Sequence, residues 1–381
     1  MKILLVGEYS RLHNSLKEGL TALGHEVFIV GTGDGFKNYA VDFSIHPKFF
    51  LEKWLLKKCN HILFSFFKID LQKMEKGIRF HCLLSELKGF DHVQLINSDA
   101  IETHPAYGRF LLKKLFKSNG KATKSLLVCG DETPVIDFLL KKKLKYSILT
   151  PYFLDSSLKD KFRYSLKYAA KSYRKQFQHV LKNVHSLIVS DLDYKIPMEG
   201  MGFSPIFIPN PINIEKIRFR DLEVNDKVVI FLGINRMNYI KKGIKYFEEA
   251  LGIIKKKHPD KVEIIIAENL PYSEYIKFYD KAHIVLDMVY AIDQGYNALE
   301  AMAKGKVVFS GASAEFQEYF HIDEKTVIEA VPDSLEIANK LEELIMNHDE
   351  IIAIGKRARH FIEKEHGYIS IAKKYLTAWN K

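Results

Sequence analysis

The stretch from Leu286 to Lys306, LDMVYAIDQGYNALEAMAKGK, constrains the fold of this 381-residue chain more than any other. It reads as a strand end, a tight turn at Gly295 and a short helix carrying Glu300. Leu299, Met302 and Ala303 fall at i, i+3 and i+4, so that helix has one buried face. Val307, Val308 and Phe309 then make a new buried strand. At such a corner the backbone N–H groups of Tyr296, Asn297 and Ala298 have no intrahelical partner and point outward with the positive end of the helix, which suits an anion. Asn297 and Glu300 also have capping-box spacing, and on that reading Glu300 only caps its own helix.

The same alternation runs through the whole chain. Lys2–Val6 is an apolar strand followed by Gly7. A helix with Leu16, Leu20 and Leu23 on one face comes next, and Gly24 stops it. His25–Val30 is the next strand, which completes a βαβ unit and implies a parallel sheet. Gly31, Gly33 and Gly35 follow the second strand, not the first, which argues against a dinucleotide-binding G-x-G-x-x-G. Strands are expected at Val93–Ile96, ending at Asn97 and Ser98, and at Leu126–Cys129, ending at Gly130, Asp131 and Glu132. Acids at the carboxyl end of a parallel strand sit where open α/β sheets bind ligands, or else they cap the next helix.

A short strand at Ser147–Leu149, a long basic helix over Lys159–Lys182 and a strand at Ser186–Ser190 follow. That last strand leads into Asp191-Leu192-Asp193, read as a turn or cap and not as a cation site. Phe207–Pro209 is the last strand of the first half, and low apolar content from Asn213 to Asp226 marks a linker.

The second half opens with a strand from Lys227 to Leu232, then Arg236, then Lys242-Gly243 and a helix bearing Tyr246, Phe247, Ala250 and Ile253. The strand Val262–Ala267 ends in the loop Asn269-Leu270-Pro271-Tyr272. A helix from Glu274 leads to the strand that ends at Asp287. Ser334–Met346, Glu350–Glu365 and Ile369–Trp379 are terminal helices.

This length suits two domains. An apolar fraction of 47% is ample for two cores, yet no run of 18 uninterrupted apolar residues occurs, so no spanning helix is expected. The first ten residues have too short an apolar run for a signal peptide. Cys59, Cys82 and Cys129 have no metal-like spacing, and a reduced, cytoplasmic protein without a bound metal is expected. A net charge of +10 points to an anionic partner. The 49–67 stretch interleaves Trp54, Leu55, Ile62, Leu63, Phe64 and Phe66 with Lys53, Lys57 and Lys58. It reads either as a helix packed on the sheet with a solvated basic face or as a segment lying on anionic lipid. Charge alone is the argument for nucleic acid, and no nucleic-acid-binding module accompanies it.

An aspartate at a strand end, a glycine turn and LEAMA before the next strand together resemble the donor site of GT-B glycosyltransferases, family 4. The order of a glycine-ended strand, Arg236, Lys242-Gly243, the strand ending at Asp287 and the LEAMA helix extends the resemblance over residues 227 to 310. IPNPI at 208–212 resembles the family's interdomain IPNG turn, with Pro211 in place of glycine.

The resemblance implies an α/β, GT-B protein: two Rossmann-like parallel-sheet domains facing a central cleft. Residues 1–206 would form the acceptor domain, completed by a C-terminal helix over 366–381, and residues 207–365 the donor domain. It further implies a retaining, metal-independent hexosyltransferase that takes a UDP- or GDP-linked sugar to a carbohydrate or lipid-linked acceptor. Glu300 would hold the ribose, and Arg236 and Lys242, with Lys241 as a rival, the diphosphate. Gly7, Leu270, Pro271, Asp293, Gly295, Tyr296 and Asn297 would line the donor. Asn97, Asp131 and Glu132 would meet the acceptor.

The family usually places a second acid eight residues before the glutamate. Ile292 stands there in this chain, with Asp293 adjacent. Alternatives of the same architecture are a nucleotide-sugar epimerase and a non-catalytic nucleotide-sugar-binding scaffold. The expected setting is bacterial surface polysaccharide or glycolipid synthesis, in the cytoplasm, with peripheral contact to the anionic inner membrane face.

Overall fold

The computed structural model describes residues 1–67, 69–268 and 272–380, without the side chains of residues 36, 67 and 272–276. Leu270 and Pro271 therefore lie outside the described residues.

Seven strands form the first sheet: β1 (Lys2–Val6), β2 (Glu26–Gly31), β3 (Phe43–Ser44), β4 (His92–Leu95), β5 (Thr123–Val128), β6 (Ser186–Val189) and β7 (Ile206–Phe207). Their order is β3-β2-β1-β4-β5-β6-β7, and every pairing is parallel. β1 is central and covered on both faces, so KILLV reads as an unbroken apolar run, and Ile3 to Val6 are all fully buried.

The second sheet contains β8 (Val228–Ile234), β9 (Val262–Glu268), β10 (Ile284–Leu286), β11 (Val307–Ser310) and β12 (Ile328–Glu329). Its order is β12-β11-β10-β8-β9, again all parallel. The strand order reverses between β1 and β4 in one sheet and between β8 and β10 in the other. Crevices for ligands open at the carboxyl ends of strands at such reversals.

The helix Tyr368–Trp379 returns to the first sheet. Its Trp379 donates Nε1–H to Gln94 Oε1 on β4 at 3.1 Å and stacks on His92 with ring centres 3.9 Å apart. It crosses the Leu12–Ala22 helix at Gly19, where a Cβ would stand 2.5 Å from the Tyr368 carbonyl oxygen, so only glycine allows this approach.

Two sequence expectations are corrected, and of the two readings of the 49–67 stretch the one that packs it on the sheet is not met. Residues 147–149 form no strand and lead into the helix Thr150–Leu154 with Pro151 in its first turn. Lys159–Lys182 is not one helix. It divides into short pieces before Lys171–Leu181, with Ala170 extended, because Phe162, Tyr168 and Tyr173 are each drawn into the core from different turns. The 49–67 stretch forms the helices Lys48–Glu52 and Trp54–Phe67, and no residue from 54 to 66 is buried against the sheet. The two-residue edge strands β3 and β12 are too short to leave a periodic signal. Among the described residues, no helix is long and apolar enough to cross a membrane.

Candidate functional site

The second sheet presents an aspartate at its reversal point. Asp287, directly after β10, is buried. Its Oδ1 accepts Lys242 Nζ at 2.7 Å and Asn297 Nδ2 at 3.1 Å, and its Oδ2 accepts Ser310 Oγ at 3.2 Å. A short helical turn, Tyr239–Lys242, carries Lys242 and ends at Gly243 in the left-handed region, φ 67°. A Cβ on Gly243 would meet Val289 Cγ2 at 2.3 Å, and Val289 N–H donates to the Lys242 carbonyl at 3.0 Å. The lysine backbone is thus held on both sides.

Arg236 stands apart from this cluster. Its Nε and Nη2 make a bidentate pair with Glu268 at 2.7 and 2.5 Å, half-exposed, with the guanidinium 5.0 Å from the Tyr239 ring centre. Lys241 turns the other way and reaches across the cleft to Asp131 Oδ2 at 3.1 Å.

The helix Tyr296–Ala303 has Gly295 at its N-cap, with no side-chain cap. Asn297 is inside the helix and bonds Asp287, so the capping-box reading of Asn297 and Glu300 fails. Glu300 instead lines a pocket of about 180 Å³ built from both halves of the chain, with Arg11, Ser15, Asn213, Tyr296 and Lys304 around it. Burial pushes the Glu300 carboxyl up, against the pull of Arg11, Lys304 and Lys37. Tyr296 OH donates to the Pro211 carbonyl at 2.8 Å and pairs with Ser15 Oγ of the first domain.

Ile292 and Asp293 face the Asp-x-Asp segment. Asp193 accepts the N–H groups of Ile292 and Asp293 at 3.1 Å, and Asp293 Oδ2 accepts Leu192 N–H at 3.2 Å. Asp191 caps the helix Leu192–Gly200 through Tyr194 N–H. Burial pushes the Asp191 carboxyl well up, that of Asp193 to about 6 and that of Asp293 to about 7.

Across the cleft, Gly7 takes φ 87°, and a Cβ there would sit 2.4 Å from Ile96 Cγ2. Packing within the sheet already demands this glycine. Asn97 donates to the carbonyls of Cys129 and Asp131 at 3.1 and 3.0 Å. Glu132 is fully buried; it accepts Ser98 N–H at 2.7 Å, Ser98 Oγ at 2.8 Å and Thr133 N–H at 2.8 Å, and burial pushes it to about 7. Asp131 accepts Ser165 Oγ at 2.5 Å besides Lys241. The structure therefore brings Lys242, Asp287 and Asn297 together, and Glu300 with Tyr296. It leaves Arg236 at the rim.

Sequence reasoning passed over Glu8, Arg11 and Ser15. Glu8 follows Gly7 at the carboxyl end of β1, the same position that singles out Asp131 after β5, so the signal was available. It is fully buried, accepts Asn14 N–H at 2.8 Å and Nδ2 at 2.6 Å, and burial pushes its carboxyl to about 8. Arg11 and Ser15 lie on a helix start whose only mark is amphipathic spacing.

Two all-parallel sheets facing each other across such a cleft define the GT-B fold. A family model described as glycosyl transferase-like matches residues 247–377. Solved structures share the whole fold at low identity. Sucrose-phosphate synthase from Thermosynechococcus elongatus superposes with a TM-score of 0.63 at 13% identity, over 100% of this chain and 98% of that one. Anabaena HepE in complex with UDP and glucose gives 0.60 at 13%, over 100% of both chains. An alpha-glucosyltransferase in complex with UDP and a DNA containing an HMU base gives 0.59 at 11%, over 100% and 99%. No curated protein matches the sequence.

Proposed function

We propose that this protein is a hexosyltransferase that moves a sugar from a UDP- or GDP-linked donor to a carbohydrate or lipid-linked acceptor, with retention and without a metal ion. The observation that carries the reading is the placement of Glu300: it has no capping role and faces a pocket walled by both domains. A carboxylate there accepts hydrogen bonds from vicinal hydroxyls of a ribose. The glycosyl transferase-like match over the same helix supports it, as do fold relatives solved with UDP.

The chemistry has one main electrostatic demand. The leaving diphosphate gains negative charge as the glycosidic bond breaks, and cations and N–H donors must already stand at that place. Lys242 and the helix start at Tyr296 meet at Asp287, and Arg236 stands at the mouth. Asp287 holds Lys242 in position until a diphosphate competes for it. Gln294, Gly295 and Asp293 continue the loop that the sugar would meet. The reading puts the reaction in bacterial surface polysaccharide or glycolipid synthesis, in the cytoplasm at the inner membrane face.

A thermal-shift panel of nucleoside diphosphates tests it. A ligand at about 100 times its dissociation constant adds roughly 2.7 kcal/mol of stability. One of UDP or GDP is expected to raise Tm clearly, and EDTA to leave that rise unchanged. A flat response to every nucleoside diphosphate would sink the donor-site assignment.

A further inference from the structure

The helix Trp54–Phe67 is unpartnered along one side. Trp54 is 65% exposed, Leu55 67%, Ile62 53% and Phe66 79%. Leu55, Ile62 and Phe66 are spaced by seven and four, so they share one helix face. The neighbouring helix Leu71–Leu83 adds Met74 and Ile78, also exposed and four residues apart. Single exposed apolar residues are ordinary, but a cluster of this size marks an interaction surface.

The charges on the Trp54–Phe67 helix itself have one sign; Glu52 and Asp70 stand just beyond its ends, and Glu75 of the neighbouring helix is buried and paired with Arg79. Between Lys53 and Ile69 the sequence contains no Asp or Glu. Lys58 Nζ lies 4.2 Å from the Trp54 ring centre, Lys53 Nζ 4.9 Å from Phe49, and the Arg163 guanidinium 4.7 Å from Phe64. A second copy of this face would bring cation against cation. An apolar interior beneath an anionic surface is complementary to both features, and a lipid bilayer with anionic headgroups has that layering.

The position relates the helix to the cleft. Arg163, under Phe64, begins the short helix Arg163–Leu166, whose Ser165 bonds Asp131, which in turn takes Lys241 from the second domain. We infer that the Trp54–Phe67 helix lies in the headgroup region of an anionic bilayer, and that a membrane-borne, lipid-linked acceptor enters the cleft from this edge. The first clause stands on the helix alone; the second rests on the glycosyl-transfer reading above.

The chain has two tryptophans, and Trp379 is 2% exposed, so a change in emission on membrane binding reports Trp54. The full-length protein is mixed at low salt with phosphatidylglycerol vesicles or with phosphatidylcholine vesicles. Sedimentation with the first is expected to exceed that with the second at least tenfold and to fall in high salt. Emission should shift to the blue, and brominated lipid should quench it. Trp54→Phe should abolish both signals and Trp379→Phe should keep them. Leu55→Glu with Ile62→Glu should weaken vesicle binding at least tenfold while leaving the Tm rise with UDP or GDP unchanged.

No binding to phosphatidylglycerol vesicles overturns the inference. Binding without a Trp54 shift overturns it too, since another basic face would then be responsible. So does a concentration-dependent dimer broken by Leu55→Glu, which would make a second copy the occupant. The nucleotide shift is read separately, so failure of membrane binding and failure of the donor site are distinguishable.

Discussion

Asp193 and Asp293 tie two loops together across the cleft: the Asp193 carboxylate accepts Asp293 N–H at 3.1 Å, and the Asp293 carboxylate accepts the N–H of Leu192, next to Asp193, at 3.2 Å. The loop after β6 is thereby tied to the loop that leads into the Glu300 helix. The tie occupies Asp293, beside Ile292, where a donor sugar is expected to need an acid. Asp191 and Asp293 are buried, and Asp193 is half-buried beside them.

This clasp makes stability depend on pH. Burial raises the folded-state values of Asp193 to about 6 and of Asp293 to about 7 from an ordinary value near 3.8. Between about pH 4 and 7 the folded protein therefore keeps protons that the unfolded chain has lost, and stability from this pair falls as pH rises through that window. Asp193→Asn should flatten the dependence of Tm on pH there relative to the parent protein. An unchanged slope would show that the carboxyl titrates normally.

Glu300→Gln should leave Tm level or slightly higher near neutral pH, because a carboxyl pushed up by burial costs stability when ionised and the amide carries no charge. Affinity for the nucleoside diphosphate should fall about tenfold, the loss of a charge-assisted hydrogen bond. A fall in Tm with unchanged affinity would return Glu300 to a structural role.

Lys242→Ala removes the cation from a buried Asp287 and should destabilise by about 2 kcal/mol, less than a fully buried pair because Lys242 is partly exposed. Diphosphate affinity should drop about tenfold or more. Arg236→Ala, at the exposed rim, should lower affinity with little change in Tm. Calorimetric titration beside thermal melting separates the two patterns. Equal affinity in both variants and the parent would remove both residues from the donor site.

Gly243→Ala should be costly although it adds one methyl group. It loses the left-handed glycine and drives Cβ into Val289. About 1–3 kcal/mol of destabilisation is expected. The shift of the Tyr239–Lys242 turn should weaken nucleotide binding as well, and intact binding at full Tm would show that the loop relaxes freely.

The parallel strands themselves, though not their order in the sheets, were legible because buried central strands must be apolar along their whole length. KILLV at 2–6 and IVL at 284–286 announce themselves without any partner. The turn and helix at Gly295–Ala303 were legible for the same local reason, since spacing and a glycine suffice. Lys242-Gly243 was visible as a pair, and the left-handed glycine accounts for its form.

What remained hidden depends on residues far apart in sequence. Asp193 meets Ile292 because two sheets face each other, and Asp-x-Asp alone reads as a turn or a cap with no sign of that partner. Arg11 gains meaning only beside Glu300, as Lys241 does beside Asp131. A sequence of alternating apolar and basic residues at 54–67 specifies a helix but not what covers it. Local periodicity determines elements and their buried faces; which of those faces meet, and which stays bare, is decided by how the packed sheets set the ends of their strands against one another.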